Sequence, residues 1–498
     1  MSKAVEILVR HQNRVSWLLF FGTLAVFFFT ANRSTVFFAN DTIYVAQPAW
    51  TLGFGGSLNI DQFSESTVAN WTILFDGHKR SDRFPGAILF TVPFYAVAHS
   101  NVFSVVPSAL AAAVACSAAV VILHRLLLNL VSARTALAAS LLFAFATSIW
   151  TVASDAIWSE GPTILALALA TWALTKQSWV LAGLGYAFAI LSRPHTAVFA
   201  AVAGLWEGIT RRSWAPILKI GAVSVLGFVG LLIWNKLNSG QWDIFPGSYG
   251  RRIESATLVT SGGQAQGSEW GKDYLATFFS PLRGLFVYSP FLLLLLPGLV
   301  RAWRVAPPWV RSTAVGGVAY LVVQLAGNSW LGGQGFFGYR LILPSLFAWW
   351  PLLTLAWQQW TVKASWSRYA FYGLAAISMW WFAQGSLVFR LDDVNADSVF
   401  YTTWSSWQAG RIIGFAGPFG WVAAAVFVGA LAFLVSLVPA EDPSVESVKK
   451  RKGKKPVAKK PATEDTNQPA EKVALGVTSR SEGSGKKKPA PSANKKRR

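Results

Sequence analysis

The sequence predicts an all-α, polytopic membrane protein with about 12 transmembrane helices, 13 being the alternative count. Three observations predict it. Of the 498 residues, 53% are hydrophobic and only 13% charged, whereas a soluble domain carries roughly a quarter charged residues. Apolar runs close to the roughly 17–25 residues that cross a bilayer recur from residue 15 to residue 438. Basic residues recur between those runs in a way that assigns alternate connections to one side of the membrane.

The first run, Val15 to Ala31, follows Lys3, Arg10 and Arg14 and could pass for a secretory leader. It is long, is followed by "NRSTVFF" and has no small-residue cleavage site, so it reads as a retained span behind a cytoplasmic N-terminus, residues 1–14. The positive-inside rule then places 124–134, 175–178, 207–213, 301–311, 360–368 and the C-terminal tail in the cytoplasm. Residues 32–84, 153–160, 192–195, 236–285, 328–340 and 386–410 fall outside. Of the 16 Asp and Glu before residue 441, 14 lie in those outer segments, Glu6 and Glu207 being the exceptions. Carboxylate chemistry is therefore expected on the outer face. One stretch, "GAILFTVPFYAVA" near residues 86–99, is short enough to be re-entrant or a partial helix, and this sets the choice between the two counts.

The body of the protein is residues 15–438, and 439–498 form a tail rich in Lys, Pro, Ala and Ser and nearly free of aromatics. That composition predicts disorder. From Glu441 onward the tail carries 17 Lys/Arg against 7 Asp/Glu. Beside a membrane such a tail suits anionic lipid or topology anchoring, and no nucleic-acid role is expected. The lone cysteine, Cys116, cannot form an internal disulfide. The five histidines show no metal-ligand spacing, so no resident cofactor is expected. The adjacent Asp392 and Asp393 could recruit a divalent cation, but such a pair after a basic residue is more often a solvated turn.

Two outer segments are much longer than compact connections need. Residues 32–84 mix amphipathic pieces with Gly turns, which suits short interfacial helices. Residues 236–285 interleave aromatics with charged residues. In the first, "FFANDTIYVAQPAW" places Asp41 just beyond span 1. Asn40-Asp41-Thr42 has the form of a glycosylation acceptor, as do Asn32-Arg33-Ser34 and Asn70-Trp71-Thr72, and Asp41 also stands where a helix N-cap would.

A large first outer loop with an acid soon after span 1 resembles the GT-C superfamily of membrane glycosyltransferases. "NDTIYVAQPAWTLGFGGSLNID" looks like that family's acid–Tyr–small–Leu–Gly run, and "SDRFPGAILFTVPFY" is similar to its loop-to-span-2 segment. "LSRPHT", "SPLRGLFVYSPFLLLL" and "SWLGGQGFFGYRLILPSLF" resemble further segments of bacterial members, mannosyl- and arabinosyltransferases among them. The first loop of relatives often carries two acids, and here Asn40 precedes Asp41.

The resemblance implies a polyprenyl-phosphate sugar donor and a glycan, glycolipid or protein acceptor of the cell envelope. The reaction would lie at the outer face of the plasma membrane. Such chemistry needs a base for the acceptor hydroxyl and cations for the leaving phosphate. Asp41 is the expected base. Arg340, Arg283, Arg193 and the cluster Lys79, Arg80 and Arg83 are the expected phosphate ligands, with His78 and His195 able to assist. Asp155, Glu160, Tyr249, Trp330 and Tyr339 are candidates for holding the acceptor, and Trp242, Trp270, Trp330 and Trp404 for stacking on a sugar. The competing reading is a transporter or flippase of a lipid-linked or small polar substrate. It is disfavoured because the ionisable residues gather in outer segments and no internal repeat is visible.

Overall fold

A computed structural model of the chain describes residues 12–33, 39–63, 71–245, 270–328, 330–333, 335–387, 426–433 and 435–436. All of them belong to one compact unit, Met1–Val445. Tyr249, Asp392, Asp393, Trp404 and the basic tail lie outside the described residues.

The first helix, α1 (Gln12–Thr30), leads to α2 (Asn40–Gly55). Gly56 stops α2 by adopting a left-handed conformation, φ +66°, from which its N–H returns to the Leu52 carbonyl. An antiparallel hairpin follows, β1 (Thr72–Phe75) and β2 (His78–Ser81), paired from Thr72 opposite Ser81 to Phe75 opposite His78. Its two-residue turn is Asp76-Gly77, both with positive φ, as a tight hairpin turn with the right twist requires. Where short interfacial helices were expected in residues 32–84, the described part therefore holds one four-turn helix and a hairpin.

Helix α3 (Pro85–Ala98) opens on Pro85, whose fixed φ suits the first helical position. Its 14 residues span about 21 Å, less than the roughly 30 Å hydrocarbon core. The chain continues through α4 (Val106–Leu127), α5 (Ala133–Phe145), a π-helical turn (Ile149–Ala153), α6 (Glu160–Thr175), α7 (Trp179–Ser192), α8 (Ala197–Arg211) and α9 (Trp214–Ser239). Beyond the second long segment come α10 (Trp270–Phe279), α11 (Leu285–Tyr288), a 3-10 run (Pro290–Gly298), α12 (Leu299–Val305), α13 (Pro308–Gly327), α14 (Leu343–Ala356) and α15 (Ser365–Leu387).

Among the described residues, α1, α4, α9 and α13 are long and apolar enough to cross a membrane, and α3, α5 and α7 are shorter apolar helices. Helix α9 leaves Leu218, Val225, Leu226, Val229 and Ile233 exposed, and α1 leaves Trp17, Leu18, Phe21 and Phe29. Exposed apolar faces of this extent suit lipid, not water. The protein is thus a helical membrane protein.

The core sits where α4, α5, α6, α13 and α14 meet. Helix α4 packs through alanines, with Ala111, Ala112, Ala113, Ala115 and Ala119 all fully buried. Small residues let helices approach closely in lipid, where dispersion and not water exclusion drives packing. The crossing of α7 with α9 is similar: a side chain at Gly227 would collide with the Ala187 carbonyl.

Candidate active site

Three features aim side chains at one end of this bundle. The hairpin is anchored to α2 by Ser81, whose hydroxyl donates to the Tyr44 carbonyl at 2.7 Å, and to α9 by Asn238, whose amide donates to the Ser81 carbonyl at 2.7 Å. That fixes Asp82 and Arg83 immediately after β2. Gly86 then lets the start of α3 press against Ser192 at the end of α7, where any Cβ would collide. Finally, the run "GGQGFFGYR" takes positive φ at Gly332, Gly333, Gly335 and Gly338, a backbone that only glycine adopts cheaply, and delivers Arg340.

The outcome is a chain of alternating charges. Asp82 Oδ1 stands 3.2 Å from Arg83 Nε, and Arg83 Nη1 stands 2.8 Å from Asp41 Oδ1. Arg340 Nη1 donates to the other Asp41 oxygen at 2.6 Å, and its Nε donates to Glu160 Oε1 at 2.6 Å. Arg193 Nη2 reaches the same Glu160 oxygen at 2.9 Å. Arg193 Nη1 donates to the Tyr320 hydroxyl at 2.9 Å, which donates to Gln324 at 3.0 Å, and His195 Nε2 lies 3.2 Å from that hydroxyl. Three carboxylates and three guanidinium groups balance. Glu160 and Asp82 are fully buried and the three arginines nearly so, while the Asp41 side chain is 25% exposed.

Charges this deep persist only when paired and hydrogen-bonded. Two of the arginines also stack on indoles: Arg83 lies 4.1 Å from the Trp71 ring centre and Arg340 4.1 Å from that of Trp158. Flat guanidinium groups tolerate this arrangement where an ammonium would not. Burial alone would raise the pKa of Asp41, but Arg340 and then Arg83 outweigh it and hold the carboxyl well below the usual carboxylate range. Asp41 is the second residue of α2, where Ala39 and not Asp41 holds the N-cap position, and its carboxylate is turned to the arginines.

Between Asp41, Arg83, Phe84, Ser159, Ser192 and Arg340 lies a pocket of about 20 Å³, room for one water. Any larger ligand requires these side chains to part. A larger cavity, about 540 Å³, shares no residue with the cluster; it is lined by apolar groups such as Leu141, Phe291, Trp350 and Met379, with Arg134 its one charged group.

The other expected residues are placed elsewhere. Arg283 is buried with Nη1 donating to the Phe336 carbonyl at 2.6 Å and the Gly338 carbonyl at 3.3 Å, its plane 3.9 Å from the Phe336 ring centre. It braces the glycine-rich loop and does not face the pocket. Lys79 and Arg80 stay on the hairpin, Arg80 donating to Asn59 at 3.1 Å and to the Leu237 carbonyl at 2.5 Å. His78 pairs with Asp61 at 2.7 Å on the surface. Asp155 accepts the Asn32 N–H at 3.0 Å. Tyr339 is buried against Ser289, 2.9 Å away, and Trp330 is half-buried. Trp242 is exposed, with Lys236 5.9 Å from its ring centre.

Five of the six segments expected on the outer side meet at this end: Asp41 and Arg83 come from 32–84, Glu160 from 153–160, Arg193 from 192–195 and Arg340 from 328–340, while Asn238 and Arg283 bring in 236–285. Segment 386–410 lies almost wholly outside the described residues.

Two crystal structures share this arrangement of helices. ArnT from Cupriavidus metallidurans in the apo state matches with a TM-score of 0.50 and 14% identity, over 86% of this chain and 76% of that one. The same protein bound to undecaprenyl phosphate matches with a TM-score of 0.52 and 15% identity, over 84% of this chain and 76% of that one. The chain shares the fold of ArnT. No protein-family model and no curated protein matches the sequence. At this identity the likeness concerns the course of the helices, and the charged cluster stands on its own geometry.

Proposed function

We propose that the protein transfers a sugar from a polyprenyl-phosphate-linked donor to a hydroxyl of a cell-envelope glycan, glycolipid or protein. The reaction would take place at the extracytoplasmic face of the plasma membrane, with both termini cytoplasmic. The observation that carries the reading is Asp41 held between Arg83 and Arg340 at the mouth of the pocket. The ArnT fold adds support, since that protein has been crystallised with undecaprenyl phosphate.

In this reaction the acceptor oxygen attacks the anomeric carbon while the bond from that carbon to the phosphate oxygen breaks, and the electron pair leaves on the phosphate. Asp41 takes the acceptor proton. Arg83 and Arg340 hold the phosphate and meet its growing charge with bidentate hydrogen bonds. Arg193 sits one carboxylate further back, orienting Glu160. Two guanidinium groups supply the positive charge that phosphate departure needs, so the reading requires no resident cofactor. The basic tail would hold anionic lipid on the opposite face. Mannose and arabinose are the sugars we would offer first.

The test is transfer of labelled sugar from polyprenyl-phosphate donors by the purified wild type and Asp41→Asn. Loss of about 10²–10⁴-fold in turnover is expected for removal of a general base. Near-wild-type turnover in the variant would remove Asp41 from that role. Movement of a lipid or solute across proteoliposomes, with no donor consumed, would favour transport instead.

A further inference from the structure

We propose that Asp41 occupies Arg83 and Arg340 as an internal stand-in for the lipid phosphate, and that a polyprenyl phosphate, by taking over those two guanidinium groups, frees Asp41 to act as a base. This inference rests on the reading above and adds a regulation of the same site.

The geometry carries it. Asp41 spends both carboxylate oxygens on the arginines, one at 2.8 Å and one at 2.6 Å. A phosphate can bridge the same two guanidinium groups, offering one oxygen to each in place of the two carboxylate oxygens. While both oxygens accept from guanidinium groups, the carboxylate's charge is spent on them and it is a weak base toward an acceptor hydroxyl. The pocket beside it holds about one water's volume, 20 Å³, so a ligand cannot enter without parting this pair.

The arginines have reason to stay when Asp41 leaves. Arg340 keeps Glu160 at 2.6 Å, the Gly332 carbonyl at 3.1 Å and the Trp158 ring. Arg83 keeps Asp82 at 3.2 Å and the Trp71 ring. Asp41 is the most exposed acid of the three, and both of its carboxylate oxygens sit on these two arginines. Exchange thus moves one short side chain and leaves the cation pair in register. An empty site would hold its base neutralised by the arginines until a phosphate displaces it.

The experiment measures binding of undecaprenyl phosphate to wild type and Asp41→Asn in detergent. Removing the internal competitor raises the fraction of binding-competent sites, so the variant is expected to bind about tenfold tighter. Equal or weaker binding by the variant overturns the exchange while leaving the phosphate site standing. Binding by neither protein overturns the underlying reading as well. A measurement on wild type guards against a misfolded variant. With ¹³C at Asp Cγ and ¹⁵N in Arg side chains, solid-state NMR should show Asp–Arg dipolar coupling falling and ³¹P–Arg coupling appearing on addition of the lipid. Persistence of the full Asp–Arg coupling with the lipid bound refutes the proposal.

Discussion

Arg340 donates a 2.6 Å hydrogen bond to Asp41 although 299 positions separate them in the chain. The same guanidinium reaches Glu160, 180 positions away. One side chain therefore ties the start of α2, the start of α6 and the glycine-rich loop before α14. The end of the bundle that holds the candidate site is also an electrostatic fastening.

Glu160 is the buried hub of this fastening. Glu160→Gln leaves Arg193 and Arg340 sharing one carboxylate fewer in a nearly dry site. Breaking a buried pair from one side costs about 3–5 kcal/mol. Thermal unfolding in detergent should show a markedly lower midpoint for the variant. A midpoint within a degree of wild type would mean that water reaches Glu160.

Arg283 and Arg340 separate a brace from a ligand. Arg283→Met removes a buried donor from the Phe336 and Gly338 carbonyls, leaving acceptors unsatisfied at a cost of about 1–3 kcal/mol. It should lower stability while leaving affinity for polyprenyl phosphate within about twofold, well short of the tenfold that 1.4 kcal/mol represents. Arg340→Lys should do the converse, weakening lipid-phosphate binding about tenfold or more through loss of the bidentate fork. Isothermal titration with undecaprenyl phosphate distinguishes them, and equal loss of affinity in both would place Arg283 at the ligand.

Much of this site is legible in the sequence because topology confines it. Charge between apolar runs sorts the acids to one face, and Asp41, Arg83, Glu160, Arg193 and Arg340 all come from segments so sorted. Which basic residue of Lys79, Arg80 and Arg83 points inward is not legible from composition. The hairpin decides it, and its signal was present as Asp76-Gly77 between "TILF" and "HKRS". Asp82 carries no signal of its own in the sequence, where it stands directly before Arg83. Tyr320 and Gln324 escaped notice as two polar residues four apart in an apolar helix, a spacing that puts both on one face. Arg283 misleads because a basic residue beside a turn looks the same whether it meets a ligand or a backbone carbonyl.

Gly338 tests the loop that delivers Arg340. Its φ of +94° is strained for any L side chain, and a Cβ there would collide with the Ser148 hydroxyl. Gly338→Ala should cost about 1–3 kcal/mol and displace Arg340. Gly22→Ala on α1, where a Cβ meets nothing within 4 Å, should be neutral or stabilise by up to about 1 kcal/mol. Parallel denaturation of the two variants checks the contrast, and an equal response would mean the loop relaxes freely.

The pH dependence of stability should single out Asp155, which lies in the connection before α6, outside the spanning segments. Burial pushes its carboxyl up to about 7 from the ordinary 3.8, against the opposing pull of the Asn32 N–H. The folded protein therefore keeps a proton that the unfolded chain has lost. Because the native state binds more protons in this window, stability falls as pH rises from about 4 to about 7 and levels off above. Asp41 behaves oppositely: its lowered pKa gives a contribution present above the ordinary value and lost only as pH falls below it. Across pH 5–8 Asp41 stays ionised and contributes no slope. Unfolding midpoints of wild type should thus drop between pH 5 and pH 7 relative to Asp155→Asn, whose side chain cannot titrate. Parallel profiles for the two proteins would show that Asp155 is ionised throughout and solvated in the folded state.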